Sequence, residues 1–221
     1  MIDNNKYIDF HTHSKSDNDG VVEILNIDVS TALSLPKSYF SYGIHPWHSA
    51  DFEEFIIPQE VIDNPFFIAI GECGLDKLKG GDIEKQLSLL NQQIAASEKY
   101  EKPIILHCVR AFNEIIELHK ERKPTQPWII HGFNGSLQLA ESLIREGIYL
   151  SIGASIMNPN TKISKALKDI PLSYIFLETD DQSKHSIEDI YKVVLQIVEV
   201  DVEVLMGVVY DNFNKMFRKD E

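Results

Sequence analysis

Apolar runs of three to seven residues, each closed by polar or turn-forming residues, recur through the chain and predict eight strands. They fall at 6–10, 21–27, 39–43, 66–71, 103–106, 128–130, 148–152 and 174–177. In the second half these runs alternate with helical periodicity. After Asp82, which suits an N-cap, Ile83, Leu87, Leu90 and Ile94 recur at three-to-four spacing. Ser136 is placed to cap a helix carrying Leu137, Ala140, Leu143 and Ile144, with Gly147 to end it. Ser186-Ile187-Glu188-Asp189 reads as a capping box ahead of Ile190, Val194 and Ile197, and a last helix spans about 202–217. Strands alternating with helices predict parallel βαβ units, and eight of them predict a closed α/β barrel of the (β/α)8 type.

Length sharpens that expectation. Such barrels usually need about 250 residues, and this chain has 221, with no Pro/Gly/Ser-rich linker to divide it. One domain over 1–221 is expected. Only seven residues separate His13 from Val21, too few for a helix and its loops, and Asp17-Asn18-Asp19-Gly20 is a dense turn signal. The barrel should therefore be compact and distorted, with its first helix missing or much reduced. A chain that simply turns back there would pair 21–27 antiparallel to the first strand.

Metal-binding residue types stand just past five of the apolar runs: His11 and His13, Glu72, His107, His131 and Asp180. Parallel strands of an α/β protein end on one side, so these residues are expected to converge. Four imidazoles and two carboxylates at one mouth imply a metal centre. Alternation puts His11 and His13 on one face of a strand. Glu72 follows five apolar residues, and its flanking glycines, Gly71 and Gly74, would let the backbone approach a ligand. One carboxylate can bridge two cations. Asp180 can bind a metal and also accept a proton from an attacking water. Glu178 and Asp181 are read as supporting or solvent-facing.

His45 and His48 are not needed to complete a metal shell and are assigned to substrate contact, with His45 favoured; His48 reads equally well as a plain loop histidine. Arg110, three residues past His107, would either fork onto an anionic substrate oxygen or pair with a surface carboxylate. His119 and His185 are read as surface residues.

A formal charge of −13 disfavours long phosphate backbones, so no extended duplex-binding surface is expected. A nucleic-acid end, or a small phosphodiester or ester, could still enter a local metal site. The first residues lack a signal-peptide profile and no run is long enough to span a bilayer, so a cytosolic protein, monomeric or weakly oligomeric and without membrane partners, is expected. Cys73 and Cys108 each follow a proposed ligand and are read as small buried thiols, not a disulfide. Disorder is expected only at 218–221.

Taken in order, Asp9-Phe10-His11-Thr12-His13, Tyr42-Gly43-Ile44-His45-Pro46, Ile70-Gly71-Glu72-Cys73-Gly74-Leu75-Asp76, Leu106-His107, His131-Gly132-Phe133-Asn134-Gly135-Ser136 and Leu177-Glu178-Thr179-Asp180 resemble the TatD family of metal-dependent hydrolases. The resemblance runs from Asp9 to about Phe217 and implies a (β/α)8 barrel. It implies one metal held by His11, His13, Glu72 and Asp180 and a second held by Glu72, His107 and His131, and it points to nuclease activity. The layer around these residues departs from the family. Trp47 stands where a histidine is usual and Val109 where an arginine is usual. Asn134 and Asp181-Gln182 replace other family residues, and a basic loop after Asp180 is missing.

Hydrolysis of a phosphodiester by water activated at two divalent ions is therefore the leading expectation, deoxyribonuclease and exonuclease-like, with Asp180, Glu72 and His45 catalytic. Zinc, manganese, iron or cobalt suits so many imidazoles better than magnesium. Hydrolysis of an ester or amide, such as an aminoacyl ester, is the alternative that the acidic surface favours. A non-catalytic metal-bearing scaffold is the third reading. A phosphoesterase of the polymerase and histidinol phosphatase type also opens on an aspartate and His-x-His, but the Glu72 and Leu177-Glu178-Thr179-Asp180 motifs argue against it.

Overall fold

A computed structural model describes residues 5–30, 35–181 and 184–217. The expected tail disorder at 218–221 and the replacement at Gln182 lie outside the described residues. The strands are β1 (Tyr7–Thr12), β2 (Val21–Asp28), β3 (Phe40–Gly43), β4 (Phe67–Asp76), β5 (Ile104–Val109), β6 (Trp128–Ile130), β7 (Tyr149–Ile152) and β8 (Ile175–Leu177). The helices are α1 (Gln59–Ile62), α2 (Ile83–Tyr100), α3 (Phe112–Arg122), α4 (Leu137–Arg145), α5 (Lys162–Ala166), α6 (Ile187–Val198) and α7 (Val202–Phe217), joined by several 3-10 turns. The chain forms two compact units, Leu25–Ile130 and Met1–Ile24 with His131–Glu221.

In the unit Leu25–Ile130, the end of β2 and strands β3 to β6 pair parallel in chain order. Ile27 lies opposite Tyr42, Tyr42 opposite Ile70, Gly74 opposite His107, and Leu106 opposite Ile130. Phe40, Phe67, Ile70, Leu90, Ile104 and Trp128 fill its core and are essentially inaccessible to solvent. Strand β4 runs through Glu72 to Asp76, five residues beyond the expected end at Gly71, because Gly74 and Asp76 keep their pairing with His107 and Val109. Glu72 and His107 therefore sit within strands and not past them.

Helix α2 corrects a second expectation. Asp82 caps it by accepting from Glu84 N, but Ile83 and Leu87 are exposed, while Gln86 and Gln93 are buried with Leu89, Leu90 and Ile94. The buried face is rotated because the two glutamines satisfy strand-end backbone that has no other ladder. Gln86 accepts from Asp76 N at 2.7 Å and donates to Asp76 O and Lys79 O. Gln93 accepts from Ile44 N at 2.8 Å and donates to Ile44 O. A hydrophobicity pattern counts them as solvent-facing.

In the other unit, β7 and β8 pair parallel, with Ser151 opposite Phe176. β1 joins the end of β8 through a parallel bridge between Thr12 and Asp180. Phe10 and Phe176 stack with ring centroids 4.0 Å apart in the core. The expected caps are present: Ser136 accepts from Leu139 N, and Ser186 and Asp189 form a capping box at the start of α6. Helix α6 lies on β1 through Tyr191, whose hydroxyl donates to Ile8 O.

No helix lies between β1 and β2, as expected. The antiparallel pairing expected there does not occur. Tyr7 N donates to Gly20 O at 3.0 Å, which sets the start of β1 beside the start of β2, a parallel arrangement. Residues 13–20, drawn out at about 3.3 Å each, reach about 26 Å, more than the roughly 20 Å length of a six-residue strand. An extended return suffices where a helical crossover would need a dozen residues. Among the described residues no helix is long and apolar enough to cross a membrane.

Gln93→Leu keeps the volume and leaves the N–H and C=O of Ile44 without their partner. A loss of about 1–3 kcal/mol is expected in a chemical denaturation curve.

Candidate metal centre

Strand alternation aims Asp9, His11 and His13 along one face of β1 and its continuation. His11 is fully buried. Its ring lies 4.4 Å from that of His131 and 5.3 Å from that of His13, centroid to centroid. Asp180 reaches both β1 histidines: its Oδ1 is 3.4 Å from His13 Nε2 and 3.7 Å from His11 Nε2. The Asp180 backbone is fixed by donating to His11 O and accepting from His13 N, and it holds a left-handed φ of 58°. A non-glycine residue kept in that region marks a position determined by its surroundings. His11, His131 and Asp180 each offer one ligand atom within 4.8 Å of the other two.

Two buried carboxylates hold this group from behind. Asp9 accepts from Thr179 N at 2.9 Å and Thr179 Oγ1 at 2.6 Å. Burial nevertheless pushes its carboxyl up to about 7. Glu178, wholly buried, accepts from Gly132 N at 2.6 Å through Oε1, which lies 3.6 Å from His131 Nδ1. Asp180 and Glu178 share a cavity of about 350 Å³ with Gly132, Gly153 and Ser155. A larger cavity, about 660 Å³, also borders Asp180, between the β1–β2 connection and the start of α6.

The unit Leu25–Ile130 carries the second group. Glu72 Oε1 lies 2.8 Å from His107 Nδ1 and 3.0 Å from His45 Nε2, and its side chain is almost wholly buried. The three residues again offer ligand atoms within 4.8 Å of one another. Asn26 braces Glu72 from β2, accepting from Glu72 N at 2.9 Å and donating to Oε2 at 3.3 Å. Asp76 braces His107, its Oδ2 lying 3.3 Å from Nε2. Burial alone would raise the Asp76 carboxyl. Hydrogen bonds from Trp47, Leu78, His107 and Lys79 together hold it below the usual carboxylate range.

His45, read from sequence as a substrate contact, stands inside this ligand-type group. His48 does not join it: Nδ1 lies 3.2 Å from Asp28 Oδ1, and His45 N also donates to Asp28, so both histidines of the turn are anchored on the end of β2. Arg110 is exposed at the end of β5 with a φ of 55°. Gly71 and Gly74 do allow a close approach, but to strand β5 and not to a ligand. A Cβ on Gly71 would meet Ile105 O at 2.5 Å, and one on Gly74 would meet His107 O. Sequence reading assigns no task to Asn26, Asp76 or Asp9; Glu178, read as supporting or solvent-facing, is buried beside His131. The signal was available: Asp76 shares the strand face of Glu72, and Asp9 that of His11, at period two.

Each group is built from imidazole and carboxylate donors with buried polar support, a donor chemistry that fits a zinc, manganese, iron or cobalt ion.

The model of the TatD related DNase family matches residues 8–218. The chain belongs to that family. It is 35% identical over 116 residues to the uncharacterized metal-dependent hydrolase YjjV of Escherichia coli, a stretch covering 51% of this chain and 44% of that protein. It is 29% identical over 165 residues to the 3'-5' ssDNA/RNA exonuclease TatD of Erwinia tasmaniensis, covering 70% and 64%. These alignments span less than two thirds of either relative. The crystal structure of YjjV, a TatD homolog from Escherichia coli, superposes with a TM-score of 0.80 at 21% identity over 97% of this chain and 98% of that one. A hydrolase of the TatD family from Entamoeba histolytica superposes at 0.74 and 16% identity over 96% and 98%. The eight-stranded α/β barrel expected from sequence is thus the fold of the chain, with the second strand parallel where an antiparallel one was expected.

The two thiols beside this TatD-family site are free. Burial raises both, Cys108 to about 12 and Cys73 well above the ordinary thiol range. At about pH 8 the native protein should react with Ellman's reagent far more slowly than the unfolded chain, which should titrate two thiols.

Proposed function

We propose that the protein is a metal-dependent hydrolase of phosphodiesters, acting on nucleic-acid ends as a deoxyribonuclease of exonuclease type. The observation that carries this reading is the pair of histidine–carboxylate groups, one in each unit, in a chain that matches the TatD related DNase family over 8–218. Following the family resemblance, one metal would be held by His11, His13, Glu72 and Asp180 and the second by Glu72, His107 and His131, with the chain 1–221 acting as one domain. Two divalent ions bound there supply a Lewis acid for a phosphoryl oxygen and lower the pKa of a water.

The protein's own residues do the rest. Asp180, one-third exposed beside a cavity, orients the attacking water and accepts its proton as the new P–O bond forms and the bond to the leaving oxygen breaks. His45, directed towards Glu72 and His107, steadies the charge on the phosphate oxygens; Arg110 and His48 serve as outer substrate contacts. Asp76 and Glu178 hold His107 and His131 in position. The acidic surface, at −13, supports short or single-stranded substrates and argues against long duplex. Two free thiols support a cytosolic location, and the protein is read as a monomer or weak oligomer.

One observation favours a second reading: with 34 acidic against 21 basic side chains, an ester such as an aminoacyl ester is an alternative substrate for the same centre. Assaying 3'- and 5'-labelled oligonucleotides beside a panel of esters and amides distinguishes the two. Metal-replete protein is expected to shorten single strands, and turnover confined to esters or amides would overturn the phosphodiester reading.

Glu72→Ala should remove nearly all of the activity, a loss on the order of a hundredfold or more, and the metal with it. A chelator should silence the wild-type protein, and manganese or zinc should restore it. Full turnover by the Glu72→Ala variant would contradict the assignment.

A further inference from the structure

Six large hydrophobic side chains are notably exposed among the described residues, and of these Trp47 is the one beside a ligand-type cluster. It sits in the 3-10 turn Pro46–Asp51 with 44% of its surface open to solvent. Its ring centroid is 4.8 Å from that of His45 and 5.9 Å from that of His107.

An exposed tryptophan is ordinarily free to change rotamer, and this one is fixed at several points. Its Nε1–H donates to Asp76 Oδ2 at 2.6 Å, the same oxygen that faces His107. Its backbone N–H donates to His45 Nδ1 at 3.1 Å. Lys79 Nζ rests 4.1 Å from the ring centroid, in cation–π contact. The loop carrying Lys79 is in turn tied down: Asp76 accepts from Leu78 N and Lys79 N, and Ser49 of the Trp47 turn donates to Gly80 O at 2.8 Å. A rigid, half-exposed indole next to the reacting centre, with an ammonium over one of its faces, has lost its conformational freedom before any ligand arrives. That is the condition under which a flat partner gains most from stacking.

We propose that Trp47 is a specificity-determining stacking platform for the planar base of the nucleotide whose phosphodiester lies at the Glu72–His107 cluster, with Lys79 adding positive charge near the phosphate chain. This deepens the phosphodiesterase reading and rests on it for the substrate class. Stacking selects for a base without reading its edge, so the platform favours nucleotide ends with little preference among the four bases.

The experiment separates the ring from the hydrogen bond it makes. Trp47→Phe keeps an aromatic face and loses the donor to Asp76; Trp47→Ala loses both. On a single-stranded oligonucleotide with an ordinary terminal base, kcat/KM of the Phe variant should exceed that of the Ala variant about five- to a hundredfold, mainly through KM. On the same strand ending in an abasic residue the two variants should coincide. An equal ratio on both strands would show that Trp47 only shields Asp76 and His107, and would overturn the proposal. A binding measurement stands apart from catalysis. Trp128 is buried, so quenching of tryptophan emission by dAMP, absent with deoxyribose 5-phosphate and absent in Trp47→Phe, is expected. Unchanged wild-type emission at saturating dAMP overturns the platform. If the protein cleaves no oligonucleotide at all, the phosphodiesterase reading fails while this titration still decides the stacking.

Discussion

Burial of carboxylates is the constraint on which the rest of this structure depends. Asp9 and Glu72 lie within strands β1 and β4, Asp76 closes β4 and Glu178 follows β8, each with at most 5% of its surface exposed. An ionised carboxylate removed from water costs several kcal/mol unless hydrogen bonds or opposite charge replace its hydration. Each has a distinct answer. Asp76 gathers two backbone N–H groups, an indole and an imidazole, and stays easily ionised. Asp9 accepts from the N–H and hydroxyl of Thr179, among the described residues its sole donor, and burial pushes it up to about 7. Glu72 faces two imidazoles and one asparagine, and Glu178 takes a backbone N–H and looks into a cavity. Imidazole ligands held by such carboxylates keep one tautomer and one orientation, which is what a divalent ion requires of them.

Much of this was legible in the sequence because it follows from period and capping. The residues at Asp82, Ser136 and Ser186 cap the expected helices, since a short polar side chain before an apolar 3.6-residue pattern has few other uses. The positions of His11, Glu72, His107, His131 and Asp180 followed from apolar runs that end in ligand-type residues. What pattern reading could not supply was polar burial with a backbone partner. Gln86 and Gln93 rotate the buried face of α2 because they satisfy strand-end backbone, and β4 continues through Glu72 because its pairing with β5 does. The parallel course of β2 was hidden for a different reason: an extended eight-residue return costs no helix, and sequence rules count only helical crossovers.

The substrate layer is where sequence and structure add most to each other. Sequence marked Trp47, Val109, Asn134 and Asp181 as departures from the family pattern without giving them tasks. The structure shows one of them, Trp47, bonded to the carboxylate that braces His107 and still half open to solvent. His48 is held at Asp28 through one ring nitrogen with its side chain still partly exposed, and Arg110 stands exposed at the end of β5.

The claim at the centre of this account is that the histidine–carboxylate groups bind divalent ions. Elemental analysis by plasma mass spectrometry of protein purified without added metal, then dialysed against limiting zinc or manganese, tests it directly. Two ions per folded chain are predicted. A folded protein that retains none under those conditions would contradict it.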